Sequence, residues 1–182
     1  MTASPTPPVA ALLVFTNWIA DAKAANGPEP GYKPAFSGLT GHDVQTAVAV
    51  VDLAGAWVID VSFTSRGAGL LAKLTRDNIS ACPGDLTTNP SGNCAQRHLT
   101  IWLDLTQTDI DNWDDPIYVA KISQPFDFGC LAGVTATTVC PKFVSNPVTL
   151  QEIDGGHAAI NLGFTEQSAK YLATAINLAS HT

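Results

Sequence analysis

The chain is short of positive charge, of long apolar runs and of recognised catalytic motifs, and each shortage removes a class of function. Nine Lys and Arg stand against sixteen Asp and Glu in 182 residues, a formal charge of −7. The basic stripe that a phosphate backbone requires is therefore missing, which argues against nucleic-acid binding. No apolar run approaches the roughly 20 residues that span a bilayer. The longest lies around residues 9–15 and is preceded by Thr2-Ala3-Ser4-Pro5-Thr6-Pro7-Pro8 rather than by a basic stretch, so it is also a poor signal peptide. There is no Gly-x-Ser-x-Gly elbow, phosphate loop, His-Glu-x-x-His or Gly-x-Gly-x-x-Gly fingerprint. The four histidines, His42, His98, His157 and His181, are scattered, and a nucleophile and base would have to be assembled from unrelated loops.

Cysteine is scarce too, but its placement is informative. The four form two local pairs, Cys82 with Cys94 and Cys130 with Cys140, each inside a stretch rich in Gly, Pro, Asn and Thr. Neither pair has Cys-x-x-Cys spacing, and no histidine stands at metal-ligand spacing beside them. Of the three possible connectivities, local pairing is the reading adopted. Closing a loop of this size stabilises a chain by roughly 3 kcal/mol in the chain-entropy model and implies an oxidising compartment. That suits an extracytoplasmic protein, periplasmic or at the cell surface, whose native form carries a signal or membrane anchor ahead of Met1.

The 46% hydrophobic content is enough for one sizeable core. Residues 9–25 read as a helix, with Leu12, Phe15, Ile19 and Ala22 on one face, Val14 and Trp18 widening the stripe, and Asn26-Gly27-Pro28 ending it. The prolines of residues 27–34 then predict an extended connection. The expected organisation is an N-terminal helix with a Pro-rich linker over residues 1–34, followed by a domain over residues 35–182.

The most informative feature is an internal repeat, in which residues 57–72 align without gaps with residues 158–173. Trp57, Ile59, Val61 and Phe63 alternate with smaller or polar residues, as do Ala158, Ile160, Leu162 and Phe164, the period of a half-buried strand. The period then becomes helical, with Ala68, Leu71, Ala72 and Thr75 in one copy and Ala169, Leu172, Ala173 and Ile176 in the other. Thr64 or Ser65, and Thr165, stand where a hydroxyl caps the first turn. Between the copies, residues 98–103 alternate as another strand, and residues 117–123 read as a strand beyond the polar loop 105–116. The expected fold class is α+β, an antiparallel sheet with two helices on one face. Its duplicated strand-helix units make a split βαβ, ferredoxin-like arrangement, with the N-terminal helix and disulfide-bearing inserts added. The other sheet face is left for contacts.

In this order the residues resemble a known family. Leu39-Thr40-Gly41-His42-Asp43-Val44, Trp57-Val58-Ile59-Asp60-Val61-Ser62-Phe63-Thr64, Gly67-Ala68, Leu74-Thr75, Leu99-Thr100-Ile101-Trp102-Leu103-Asp104, Lys121-Ile122-Ser123-Gln124-Pro125 and the stretch from Gly155-Gly156-His157 to Thr165 look like the head subdomain of the first extracytoplasmic region of the SecD and SecDF export proteins. The resemblance covers residues 36–179. It implies a non-enzymatic module without cofactors that contacts emerging preproteins or envelope proteins outside the membrane. This sequence departs from the family in an enlarged segment at 106–115, a Cys-bearing insert at 126–148, and a loop bearing Cys82 and Cys94. It also has no helix able to couple protons, so it is head-like rather than a motor by itself.

Three aromatics are the candidate ligand-binding residues. Trp102 and Tyr118 fall opposite the inward positions of their strands and Trp113 tops the long loop, so together they would make a patch for an unfolded peptide. The competing reading has the N-terminal helix covering that face. Asp109, Asp111, Asp114 and Asp115 offer oxygen ligands for calcium, although Trp113 stands where a ligand should, and a solvated acidic loop is the favoured alternative. Asn78-Ile79-Ser80 has the form of a glycosylation acceptor. The leading expectation is an export-related protein-binding module. The others are a secreted small-ligand or carbohydrate-binding protein on the same fold, with a pocket walled by the inserts, and, last, an enzyme with dispersed catalytic groups.

Overall fold

The computed structural model describes residues 10–24, 27–82, 94–127, 129–130 and 139–181. Their strands fall into two antiparallel sheets, one in the order β2-β1-β5-β6 and one in the order β3-β4-β7. The α+β class and the antiparallel pairing expected from the sequence are borne out, with the strands divided between two sheets rather than joined in one.

The first element is a correction. Residues read as a helix form strand β1, Leu13–Ala20, which pairs with β2, Tyr32–Thr40, on one side and with β5, Thr100–Leu103, on the other. The expected helix ends, residues 9 and 25, lie outside the described residues. Leu13, Val14, Phe15, Thr16 and Trp18 are all buried, because β1 is internal to its sheet and covered on both faces. A strand buried on both faces loses its alternation, and its apolar residues then also match helical spacing. β2 is an edge strand and carries Pro34, a position where proline costs no ladder bond. The expected linker therefore ends inside a strand.

The repeat is borne out. β4, Trp57–Phe63, runs into α1, Ser65–Ala81, and β7, His157–Phe164, runs into α4, Glu166–Ser180. Thr64 Oγ1 accepts from Gly67 N–H at 3.1 Å and Thr165 Oγ1 from Ser168 N–H at 3.2 Å, so both predicted caps are made. β4 lies between β3, Val44–Val51, and β7, and its pairing with β7 is antiparallel, so the two copies face one another. Ile59, Val61, Phe63 and Ile160 point into a core shared with Leu13, Phe15, Leu99, Ile101 and Leu103 of the other sheet. Phe15 and Phe63 meet edge to face across it, ring centroids 5.7 Å apart. Leu71 and Leu74 of α1 and Leu172 and Ile176 of α4 close the ends. On the far side of the three-stranded sheet Val48, Val50 and Asp60 are exposed, as a free face requires.

A second correction concerns residues 117–123, expected as a strand. Residues Pro116–Ile122 form helix α3, with the Asp115 carboxylate accepting from Ile117 and Tyr118 N–H and Pro116 in the first turn. An acidic cap followed by proline is a helix-start signal, and it outweighs the β-branched content of so short a segment. Before it, Gln107–Asp111 forms α2, opened by a capping box between Thr106 and Asp109. β6, Phe143–Ser145, completes the larger sheet.

Cys82 pairs with Cys94 and Cys130 with Cys140, at Cα separations of 6.3 and 5.7 Å. The local connectivity expected from the sequence is the one observed. The Cys-bearing loops themselves lie mostly outside the described residues.

Candidate functional site

Trp102, Trp113 and Tyr118 do come together, but with both indoles inside the protein and Tyr118 half-buried against them. Trp102 is fully buried and Trp113 is 2% exposed, so the surface patch expected from them is corrected. The cause is β5, whose two faces are both covered. Leu99, Ile101 and Leu103 enter the main core, while Trp102 enters a second one with Val14, Trp18, Trp113, Val119 and Ile122. Helix α2, within the enlarged segment, and helix α3, which follows it, roof that second core and make the indoles inaccessible. The three indoles pack edge to face, with Trp102 and Trp113 centroids 5.6 Å apart. Each N–H is satisfied: Trp18 donates to Thr100 Oγ1 at 2.7 Å, Trp102 to Thr16 Oγ1 at 3.0 Å and Trp113 to the Tyr32 carbonyl at 3.1 Å. Buried indoles with every donor paired are a folding core rather than a recognition surface.

The acidic cluster is likewise spent on structure. Asp109 is 2% exposed and accepts from Lys142 Nζ at 2.6 Å, from the Tyr118 hydroxyl at 2.6 Å, and from Thr106 N–H and Oγ1 at 2.6 and 2.7 Å. Burial pushes its pKa up, but the hydrogen bonds from Lys142, Tyr118 and Thr106 outweigh it and hold the carboxyl below its ordinary value. The same burial, with Asp109 beside it, pushes the Tyr118 hydroxyl far above the usual phenol range. Asp115 caps α3, and Asp111 accepts from Gln107 at 2.8 Å. Among the described residues no group of three or more His, Cys, Asp or Glu side chains is placed to hold a metal ion.

The residues that carry the family resemblance converge on the start of α1. The Asp43 side chain is buried, accepts from Thr40 N–H at 3.2 Å and is ion-paired with Arg66, while its carbonyl accepts from Thr64 N–H at 2.8 Å. Gly67 packs directly on this residue, and Gly156, at φ +68°, packs on Ala68. Gly67-Ala68-Gly69-Leu70-Leu71-Ala72 has the glycine spacing of a dinucleotide turn, but here the first glycine admits Asp43 instead of a pyrophosphate. These motifs are scaffold. So is Asn78 of the glycosylation triplet, which is 3% exposed within α1 and unreachable for an attached sugar.

Sequence reasoning missed an apolar cleft between the two sheets. It has a volume of about 340 Å³ and is walled by Phe15, Leu99 and Ile101 from one sheet and by Val61, Phe63 and the backbone of residues 157–160 from the other. Pro147, Gln151 and Ile153 form its lip, and a smaller recess of about 230 Å³ continues under the same segment. That segment is strapped down. Leu99 N–H donates to the Pro147 carbonyl at 3.0 Å, Thr149 N–H to the Arg97 carbonyl at 2.8 Å, Ile153 N–H to Thr75 Oγ1 at 3.0 Å, and Arg76 is ion-paired with Glu152. Val148, Leu150 and Ile153 are the apolar side chains that residues 147–153 offer besides Pro147, and nothing in their spacing says what they cover. A second, polar groove of about 680 Å³ runs along β2 past Asp21, Lys33, Phe36, Gln107 and Asp114, walled in part by the enlarged segment. Of the histidines, His157 lines the apolar cleft, His98 meets Glu29 and Asn146, and His42 and His181 are exposed.

A duplicated strand-helix frame in two antiparallel sheets, locally disulfide-bonded, with an apolar cleft at its seam, defines the class of domain. The SecDF P1 head subdomain model matches residues 32–180, and the chain belongs to that family, as the resemblance over residues 36–179 implied. Two solved structures share the fold. One, described as "Structure and function of a membrane component SecDF that enhances protein export", is 19% identical with a TM-score of 0.54, over 95% of this chain and 64% of that one. The other, "Crystal structure of SecDF in Super-membrane-facing form", is 20% identical with a TM-score of 0.52, over 93% of this chain and 19% of that one. The chain thus spans less than two thirds of either. No match was found among curated protein sequences.

Proposed function

We propose that this domain is a non-catalytic, extracytoplasmic binding module that holds unfolded segments of exported or envelope proteins, and that the cleft between its two sheets is where it does so. The observation that carries the reading is the cleft itself: an apolar recess at the seam of the two sheets, whose floor residues Phe15, Phe63, Leu99 and Ile101 belong to the core, in a protein whose Trp18, Trp102 and Trp113 are buried with every indole N–H paired. Apolar surface left open at a seam is where a ligand is held. Membership of the SecDF head family and the paired cysteines support an export setting outside the cytoplasm, and no helix among the described residues is long and apolar enough to cross a membrane. The described titratable groups with clear shifts are explained by caps, ion pairs and burial rather than by a reactive centre, which supports a binding rather than a chemical role.

The test is binding of the oxidised protein to a reduced and alkylated unfolded protein, with Ile153→Glu, which places a charge on the lip, as the comparison. Saturable binding weakened by that change, at an unchanged melting temperature, supports the reading. Absence of binding at hundreds of micromolar overturns it. A small apolar ligand then becomes the better occupant, since the cleft volume also falls in the range of small-molecule sites, ~300–1,000 Å³.

A further inference from the structure

The two sheets have four edges, and three of them are closed to a further strand. β2 carries Lys33 and Pro34. β3 is met by α4, whose Asn177 side chain donates to the Ala47 carbonyl and accepts from Ala47 N–H, both at 2.8 Å. β6 is met by residues 124–126, with Phe126 N–H donating to the Phe143 carbonyl at 2.9 Å and Phe143 N–H to the Gln124 carbonyl at 3.3 Å. These are the devices by which proteins keep sheet edges from recruiting other chains.

The fourth edge, β7, has none of them over residues 157–160. It contains neither proline nor lysine, and among the described residues no backbone hydrogen bond reaches this stretch from any element other than β4. The register fixes which groups it presents. Phe63 N–H donates to the Gly156 carbonyl at 2.9 Å, and from there Ser62 faces His157, Val61 faces Ala158 and Asp60 faces Ala159. In an antiparallel ladder hydrogen-bonded and non-bonded pairs alternate, so Ala158 and Ile160 bond to β4, while the N–H and C=O groups of His157 and Ala159 point outward. Both residues are exposed. The same stretch is one wall of the apolar cleft, and Ala158 and Ile160 face the core there.

We infer that β7 takes its ligand as an added strand. An extended polypeptide pairs with the outward groups of His157 and Ala159, and its alternate, apolar side chains enter the cleft beside Ala158, Ile160 and Ile153. This rests on the polypeptide-binding reading above and adds to it the mode: the backbone of the ligand, not its sequence, supplies the hydrogen bonds, and apolar alternation supplies the selectivity. Because the protein carries a charge of −7, the preferred strand is uncharged or basic.

The experiment compares a labelled ten-residue peptide, alternating Val or Leu with Ser or Thr and ending in Lys, with its ester-backbone analogue, in which the central N–H groups are replaced by oxygen. Loss of the donors weakens an added strand by about tenfold or more, and Ala159→Pro, which removes an outward N–H that no partner uses, does the same at an unchanged melting temperature. If the amide and ester peptides bind alike, the added strand is wrong while the polypeptide-binding reading stands. If neither binds, both fall. Loss of peptide binding as the protein dimerises, seen by sedimentation and reversed by Ala159→Pro, would assign the edge to a second copy of this chain and overturn the inference. Should Ala159→Pro fail to fold, the peptide pair still decides.

Discussion

A Cβ on Gly67 would lie 2.7 Å from the carbonyl oxygen of Asp43 and 2.8 Å from its Cβ. Two of the short motifs that identify the family are therefore one contact, in which the turn Gly41–Asp43 rests on the first turn of α1 and leaves no room for a side chain. Backbone on one side and Phe63 on the other prevent relief by a rotamer change. Gly67→Ala is expected to destabilise by about 1–3 kcal/mol through overpacking. Gly69, two residues on in the same helix, meets nothing within 4 Å, and Gly69→Ala is expected to stabilise by about 0.5–1 kcal/mol. Urea unfolding of the pair checks both signs.

Trp102→Ala empties a fully buried site and is expected to cost about 3–5 kcal/mol. The indole faces the second core, away from the cleft, so the affinity of the protein that remains folded for an unfolded polypeptide is expected to be unchanged. Denaturant titration and binding, measured on the same sample, separate the two effects.

The Asp109 and Lys142 pair is 2% and 14% exposed by side chain. Lys142→Met strands the carboxylate and is expected to cost about 3–5 kcal/mol, whereas the double change Lys142→Met with Asp109→Leu recovers much of the loss. The folded pKa of Asp109 is depressed, so its contribution is present above the unfolded value of about 3.9 and disappears as pH falls through the folded value. Asp104 has the opposite sign, because burial raises its pKa, and its unfavourable contribution at neutral pH is relieved in acid. Melting temperatures from pH 6 downward are expected to fall less steeply in Asp109→Asn than in the parent protein.

Tyr118 gives the alkaline counterpart. Its folded pKa is raised by burial and by the Asp109 carboxylate, so the stability it contributes is complete below the unfolded value of about 10 and is lost as pH rises beyond it. Tyr118→Phe cannot ionise, and its melting temperature is expected to decline less than that of the parent above that pH. Absorbance at the phenolate band follows the same group directly.

Cys82 closes onto Cys94 across a separation of 12 residues, and Arg97, whose Nε donates to the Cys82 carbonyl at 3.0 Å, links this end of α1 to the strap at Thr149. Replacing both cysteines by serine is expected to cost about 3 kcal/mol. The loss is read as a lowered urea midpoint relative to the oxidised parent, with reductant lowering the parent toward the same value.

What could be read beforehand is what depends on local pattern. The β4–α1 and β7–α4 units were legible because Ile59, Val61 and Phe63 keep a period of two, Leu172 and Ile176 a helical one, and Thr64 and Thr165 mark the switch between them. The cysteine pairing was legible because each partner is close in sequence. β1 was not, because a strand covered on both faces keeps no wet residues to set a period, and Leu12, Phe15 and Ile19 then satisfy a helix as well. α3 carries conflicting local marks, since Asp115 and Pro116 signal a helix start while the β-branched Ile117 and Val119 favour a strand.

The sequence by itself determined the class of fold, the disulfide framework and the family, because each is written in residues near one another along the chain. The tertiary structure alone decided where the surface lies. It put Trp102 and Trp113 in a core covered by α2 and α3, and left the cleft at the seam of the two sheets beside Phe15 and Phe63. It also left residues 157–160 of β7 with no backbone hydrogen bond among the described residues except to β4, while Asn177 covers the edge of β3. The physical reason is that burial depends on which distant segments meet, and segments that cover a face or leave it open carry no local mark of the choice.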